Sequence, residues 1–67
     1  MKKKKLTYAQ RIFTEEQLSA MKELRVRQIH HYNTAKTTAD TLDALEYIDT
    51  INKIIHRLEK ILKEGYQ

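Results

Sequence analysis

The sequence contains no cysteine and no proline, and its only glycine is Gly65. Without cysteine the chain can form neither a disulfide nor a thiolate metal site, and without proline or internal glycine nothing interrupts a long helix. No apolar run is longer than two residues, so we expect no transmembrane helix. A chain of 67 residues without these covalent or metal links buries too little surface to be robust alone, which predicts self-association.

The excess of positive charge is confined to the beginning of the chain. The net charge is +4, but residues 1–13 carry Lys2, Lys3, Lys4, Lys5 and Arg11 without any acid, whereas residues 14–67 are close to neutral. A nucleic-acid-binding fold shows its basic residues on a structured face. This distribution argues against nucleic acid as the partner and keeps it only as an alternative that would use the lysine tail.

The apolar spacing predicts an all-α fold. Apolar residues recur at helical intervals in two long segments, separated by a polar cluster around residues 36–40 that suits a bend. Thr7 with Gln10 and Thr14 with Gln17 both have capping-box spacing, and two glutamates follow Thr14 directly. We therefore predict one domain, 1–67, with a flexible basic tail (1–6), a short helix or turn (7–13), and an antiparallel helical hairpin formed by helices at 14–36 and 39–64.

The second helix carries more apolar surface than one partner helix can cover. Its apolar positions span close to half of the helix circumference. Two such hairpins packed together would form a four-helix bundle, and a symmetric dimer or a ring of dimers is the simplest closed assembly. We expect a helical-bundle homo-oligomer.

The residues that most often carry chemistry are poorly placed for it. His30 and His31 are adjacent and point about 100° apart on a helix, and His56 stands alone. Ser19 is the only serine, and no glycine-rich loop could cradle a phosphate. We predict no metal, no cofactor and no enzymatic activity.

Arg25 and Gln28 interrupt the apolar face of the first long helix. The neighbours of Arg25 at helical spacing are apolar, and Gln28 lies among similar residues. The guanidinium could extend to water or pair across an interface with an acid such as Asp49. It could equally line an anion pocket between subunits, where arginine grips phosphates and a nearby aromatic stacks on a base.

The run RIFTEEQLSAMKELR, residues 11–25, resembles the opening of small phage anti-CBASS proteins that act as cyclic-oligonucleotide sponges. In that family an aromatic and an arginine precede a Thr-Glu-Glu segment, followed by an aliphatic residue, a methionine and a phosphate-binding cation. The positions that match here are Arg11, Thr14, Glu15, Glu16, Leu18, Met21 and Arg25. The place of the family's stacking aromatic is taken by Gln10, and Tyr8 lies two residues before it.

The resemblance implies a protein that binds cyclic di- or trinucleotides at subunit interfaces without cleaving them. It implies an oligomer built from dimers, up to a hexamer in size, in the cytoplasm of an infected bacterium. Arg25 would clamp phosphates, Tyr8 would stack on a base, and Arg11, Lys22 and Gln28 would be supporting donors. The alternative is a small helical bundle that binds and inhibits a host protein.

Overall fold

The structure, a computed structural model, describes residues 5–65 as a hairpin of two long helices. Helix α1 spans Tyr8–Thr34 and helix α2 spans Thr38–Glu64, each of 27 residues. They pack side by side in opposite directions in a slab with extents of 48 × 22 × 11 Å. The described part of the chain contains no strand, which confirms the all-α hairpin. Residues 1–4, most of the predicted tail, lie outside the described range.

Helix α1 begins at Tyr8, six residues before the predicted start at Thr14. Thr7 is its N-cap: the Thr7 hydroxyl accepts from the backbone N–H of Gln10 at 3.1 Å, and the Gln10 side chain accepts from the backbone N–H of Thr7 at 3.0 Å. Thr14 lies inside the helix, 2% exposed, and donates its hydroxyl to the Gln10 carbonyl at 2.7 Å. The predicted separate helix over 7–13 and the helix start at Thr14 are therefore wrong. Nothing between the two threonines breaks the helix, so the first capping box determines where it begins.

The bend and the second helix agree with the sequence prediction. Thr37 caps α2 by accepting from the backbone N–H of Asp40 at 3.1 Å, and the Asp40 carboxylate lies in the first turn, where the helix dipole favours negative charge. Helix α2 ends at Glu64 and is capped by Gly65, whose φ of 81° is in the left-handed region that glycine adopts without steric cost. Residues 35–37 form the whole connection.

The two helices meet along an inner seam with heptad spacing. The seam residues recur at alternating intervals of about three and four positions, as in antiparallel coiled coils, and nearly all are buried or half-buried. In α1 and its C-cap they are Thr14, Leu18, Met21, Arg25, Gln28, Tyr32 and Ala35. In α2 they are Thr41, Ala44, Ile48, Ile51, Ile55, Leu58 and Leu62.

The hydrophobic core of this hairpin is small. Only Ala44, Ile51 and Ile55 are buried apolar residues in the described range, and all three belong to α2. Helix α1 supplies Thr14, Arg25 and Gln28 to the same seam, so its share of the core is partly polar. Ten large apolar side chains remain exposed, which leaves apolar surface on both helices beyond what the hairpin covers.

Candidate functional site

Arg25 lies in the middle of the inner seam and extends across it. Its side chain is half-buried, and Nη1 donates a hydrogen bond of 2.9 Å to Oδ1 of Asn52 on α2. The acceptor is a neutral amide, so this bond orients the guanidinium without neutralising its charge. The predicted pairing with Asp49 is not seen within the hairpin, where the Asp49 carboxylate contacts the ammonium of Lys53 at 3.1 Å.

A second cation lies one turn before Arg25 on the same side of the hairpin. The Lys22 ammonium is 3.7 Å from a carboxylate oxygen of Glu59, and both side chains are about half exposed. We call the surface formed by Lys22, Arg25, Asn52 and Glu59 the Arg25 edge. It holds two cations and one acid, and it offers charged donors to a ligand that approaches from solvent.

Gln28 lies on the opposite edge of the hairpin. It lines an open groove of about 380 Å³ together with His31, Asp43, Ala44 and Tyr47. The heptad explains the separation: Arg25 and Gln28 occupy the two different seam positions, one turned towards each edge. Within one subunit, therefore, Gln28 does not face the same space as Arg25 and Lys22.

Tyr8 and Arg11 lie at the open end of the hairpin, far from the other predicted site residues. Tyr8 is 81% exposed, and Arg11 lines a groove of about 360 Å³ formed with the end of α2. A rise of 1.5 Å per residue places Tyr8 about 26 Å and Arg11 about 21 Å from Arg25 along α1. These two residues cannot join Arg25 around one small ligand in the same subunit.

The structure thus divides the five predicted site residues into three places. Lys22 and Arg25 stand together on the Arg25 edge, Tyr8 and Arg11 are near each other at the open end, and Gln28 is alone on the other edge. Any single site for a small ligand that includes both Tyr8 and Arg25 requires residues from two subunits.

Two α2 residues that hold the Arg25 edge together, Asn52 and Glu59, were not predicted from the sequence. Asn52 and Glu59 are seven residues apart, both directly flanking the inner seam of α2. Flanking positions of this kind form cross-helix polar pairs in coiled coils. A heptad assignment of both helices would have placed them opposite Lys22 and Arg25.

Residues 5–65 contain neither a metal-binding cluster nor a membrane-spanning helix. No group of three or more His, Asp or Glu side chains there is arranged to hold a metal ion. Neither of the two described helices is long and apolar enough to cross a membrane.

Comparisons with protein-family models, with curated proteins and with solved structures gave no match to this chain.

Proposed function

We propose that this protein binds and sequesters cyclic di- or trinucleotides at interfaces between its own subunits, as a non-enzymatic sponge in an infected bacterial cell. Binding would remove a nucleotide signal on which host antiphage defence depends. The proposal takes its ligand class from the resemblance of residues 11–25 to anti-CBASS sponges, and its site from the geometry of the hairpin.

The observation that carries the proposal is the position of Arg25. A cation occupies a seam position where an apolar side chain would pack better, it is half-buried, and its hydrogen bond to Asn52 leaves its charge unneutralised. The contact with Asn52 is exposed, so the guanidinium is open to solvent and has no counter-charge from Asn52. A phosphate bound at the Arg25 edge would supply that counter-charge through charge-assisted hydrogen bonds.

A pair of subunits can bring the separated residues together. Tyr8 and Arg25 have their midpoint between residues 16 and 17 of α1, and Arg11 and Lys22 have the same midpoint. If two α1 helices pack antiparallel about that point, Tyr8 of one subunit lies at the same height along the helix axis as Arg25 of the other, and Arg11 lies at the same height as Lys22. Twofold symmetry then creates two equal sites, each with an aromatic and three cations.

This arrangement explains why a ligand would be needed. Arg11 of one subunit and Lys22 of the other carry the same charge, and the Glu59 carboxylate beside Lys22 offsets only part of their repulsion. A phosphate placed between them replaces repulsion by two attractions. Ligand binding and pairing of subunits are therefore expected to strengthen each other.

Native mass spectrometry of the protein with a panel of cyclic di- and trinucleotides tests the proposal, because one spectrum reports both assembly and bound mass. We expect an even-numbered oligomer that retains nucleotide. Arg25→Ala is expected to lose the nucleotide while circular dichroism shows unchanged helix content. Arg27→Ala is the matched control, since Arg27 is an exposed arginine two positions away.

Two results would contradict the proposal. The first is a wild-type oligomer that stays empty across the whole panel. The second is equal nucleotide retention by the Arg25→Ala and Arg27→Ala variants, which would assign Arg25 a structural role only.

A second candidate function is binding of a host protein, and exposed apolar side chains near the connection favour it. Val26 is 67% exposed and Leu42 is 55% exposed. Such residues can dock an apolar helix of a partner. Specific capture of one host protein, with no thermal stabilisation by any cyclic nucleotide, would support this function instead.

A further inference from the structure

Helix α2 carries a second stripe of residues with heptad spacing, on the edge of the hairpin where Gln28 and Tyr47 line a common groove. The stripe, which we call the outer stripe, consists of Asp43, Tyr47, Thr50, Ile54, Arg57 and Ile61. Tyr47 is 58% exposed and Ile54 is 40% exposed, while Ile61 is half-buried. Three large apolar groups seven residues apart on one helix face are the pattern of a helix–helix contact. The hairpin leaves a large part of Tyr47 and Ile54 exposed.

The charges of α2 indicate the direction in which a partner helix runs. Residues 38–50 contain four acids and no lysine or arginine, whereas residues 51–64 contain four lysines or arginines and two glutamates. A second copy of α2 packed antiparallel places the acidic half of each helix against the basic half of the other. A parallel copy would place like charges together, which is unfavourable.

The same charges select a register. When the antiparallel pair is centred near residue 52, Tyr47 faces Arg57 of the second copy, Ile54 faces Thr50, and Ile61 faces Asp43, so all three apolar groups are covered. Glu46 then lies beside Arg57 of the other copy. Shifting the centre by half a heptad towards the C-terminus brings Lys53 of one copy beside Arg57 of the other. These two cations repel each other.

A groove on the hairpin surface has the size and charge to receive the partner's arginine. It is an open groove of about 550 Å³ lined by Asp43, Glu46, Tyr47 and Thr50. Two carboxylates and an aromatic ring are suitable partners for a guanidinium, through ion pairing and cation–π contact.

We infer that the outer stripe is a self-association surface, on which a second copy of α2 packs antiparallel with Glu46 of each copy beside Arg57 of the other. This interface is separate from the α1 pairing of the proposed function. The inference rests on that function only in taking the partner to be another copy of this chain. Two different twofold interfaces on one hairpin allow assemblies larger than a dimer.

A charge-swap experiment tests the inference. Glu46→Arg and Arg57→Glu are each expected to weaken association alone, because each creates two like-charge contacts in the symmetric interface. Mixed together, the two variants restore both opposite-charge contacts. We therefore expect native mass spectrometry to show a smaller assembly for each variant alone and the wild-type assembly for their mixture.

The control uses the same charges elsewhere. Glu23→Arg and Arg27→Glu exchange charges on exposed positions of α1 and are expected to leave the assembly unchanged. Ile54→Lys provides a second test, since it buries a charge at the centre of the interface without touching the inner seam.

The inference is overturned if Glu46→Arg and Arg57→Glu each keep the wild-type mass, or if their mixture stays as small as the separate variants. Failure of the proposed function is a different result. If the charge-swap variants behave as expected but the protein binds no nucleotide, the outer stripe is a self-association surface and the proposed function is wrong.

Discussion

The guanidinium of Arg25 and the side-chain amide of Asn52 join the two helices by a hydrogen bond of 2.9 Å near the middle of the hairpin. A leucine or isoleucine at the position of Arg25 would add to a core that contains only three buried apolar residues in the described range. The centre of the hairpin therefore has a charged side chain where an apolar side chain could pack. This relationship is directly measurable.

A double-mutant cycle on Arg25→Ala and Asn52→Ala should give a coupling of about 0.5–1.5 kcal/mol in the free energy of unfolding. The cycle is needed because alanine raises helix propensity at both positions, and that contribution cancels. Chemical denaturation at one fixed protein concentration provides the four values. Arg27→Ala combined with Asn52→Ala is expected to show no coupling, and a coupling there equal to that of Arg25 would contradict the contact.

The two threonines of the capping-box patterns should respond differently to substitution. Thr7→Ala removes the N-cap and is expected to cost about 1 kcal/mol of stability. Thr14→Val keeps the shape of a buried side chain inside α1, so we expect a smaller change, because only a hydroxyl bonded to a helix carbonyl is lost. Thermal unfolding followed by circular dichroism compares them. A larger loss for Thr14→Val would place the helix start at Thr14 after all.

Ile51 should dominate the stability of the inner seam. It is 2% exposed, and Ile51→Ala is expected to cost roughly 2–5 kcal/mol because it removes apolar contact and leaves a cavity. That loss approaches the total stability expected for so small a domain. Val26→Ala, at a position that is 67% exposed, serves as the control and should change stability by less than about 0.5 kcal/mol. Equal losses would show that the helices pack through another face.

The nucleotide site should be shared between subunits. Tyr8→Ala and Arg25→Ala are each expected to abolish nucleotide retention, because each removes one half of every site. A mixture of the two variants should regain about a quarter of the wild-type sites, since a mixed pair contains one intact site. Native mass spectrometry of the mixture counts the bound nucleotides. A mixture as empty as the separate variants would exclude a site built from Tyr8 of one subunit and Arg25 of another.

The contact between Lys22 and Glu59 should matter little for stability. Both side chains are about half exposed and the ion pair measures 3.7 Å, so Glu59→Gln is expected to cost at most about 1 kcal/mol, and less at high salt. The same substitution should strengthen nucleotide binding, because removing the acid frees the Lys22 ammonium for a phosphate. Weaker nucleotide binding by Glu59→Gln would remove Lys22 from the proposed site.

Local sequence signals determined the helices, the connection and the end of α2. The polar cluster before Asp40 and the glycine at position 65 act within a few residues, so the bend and the helix end could be predicted. The start of α1 was mispredicted because Thr7 and Thr14 carry the same capping pattern. A cap acts only where the preceding chain is not already helical, and no residue between the two threonines breaks the helix that begins after Thr7.

The sequence by itself determined an all-helical hairpin with surplus apolar surface and marked Arg25 as misplaced on an apolar face. Only the tertiary structure decided what Arg25 contacts, since the choice between Asp49 and Asn52 depends on the register of α2 against α1. It also separated Gln28 from Arg25 and placed Tyr8 far from both. The physical reason is that a helix fixes spacing along its own axis, whereas the edge that each side chain faces is fixed by the helix packed against it.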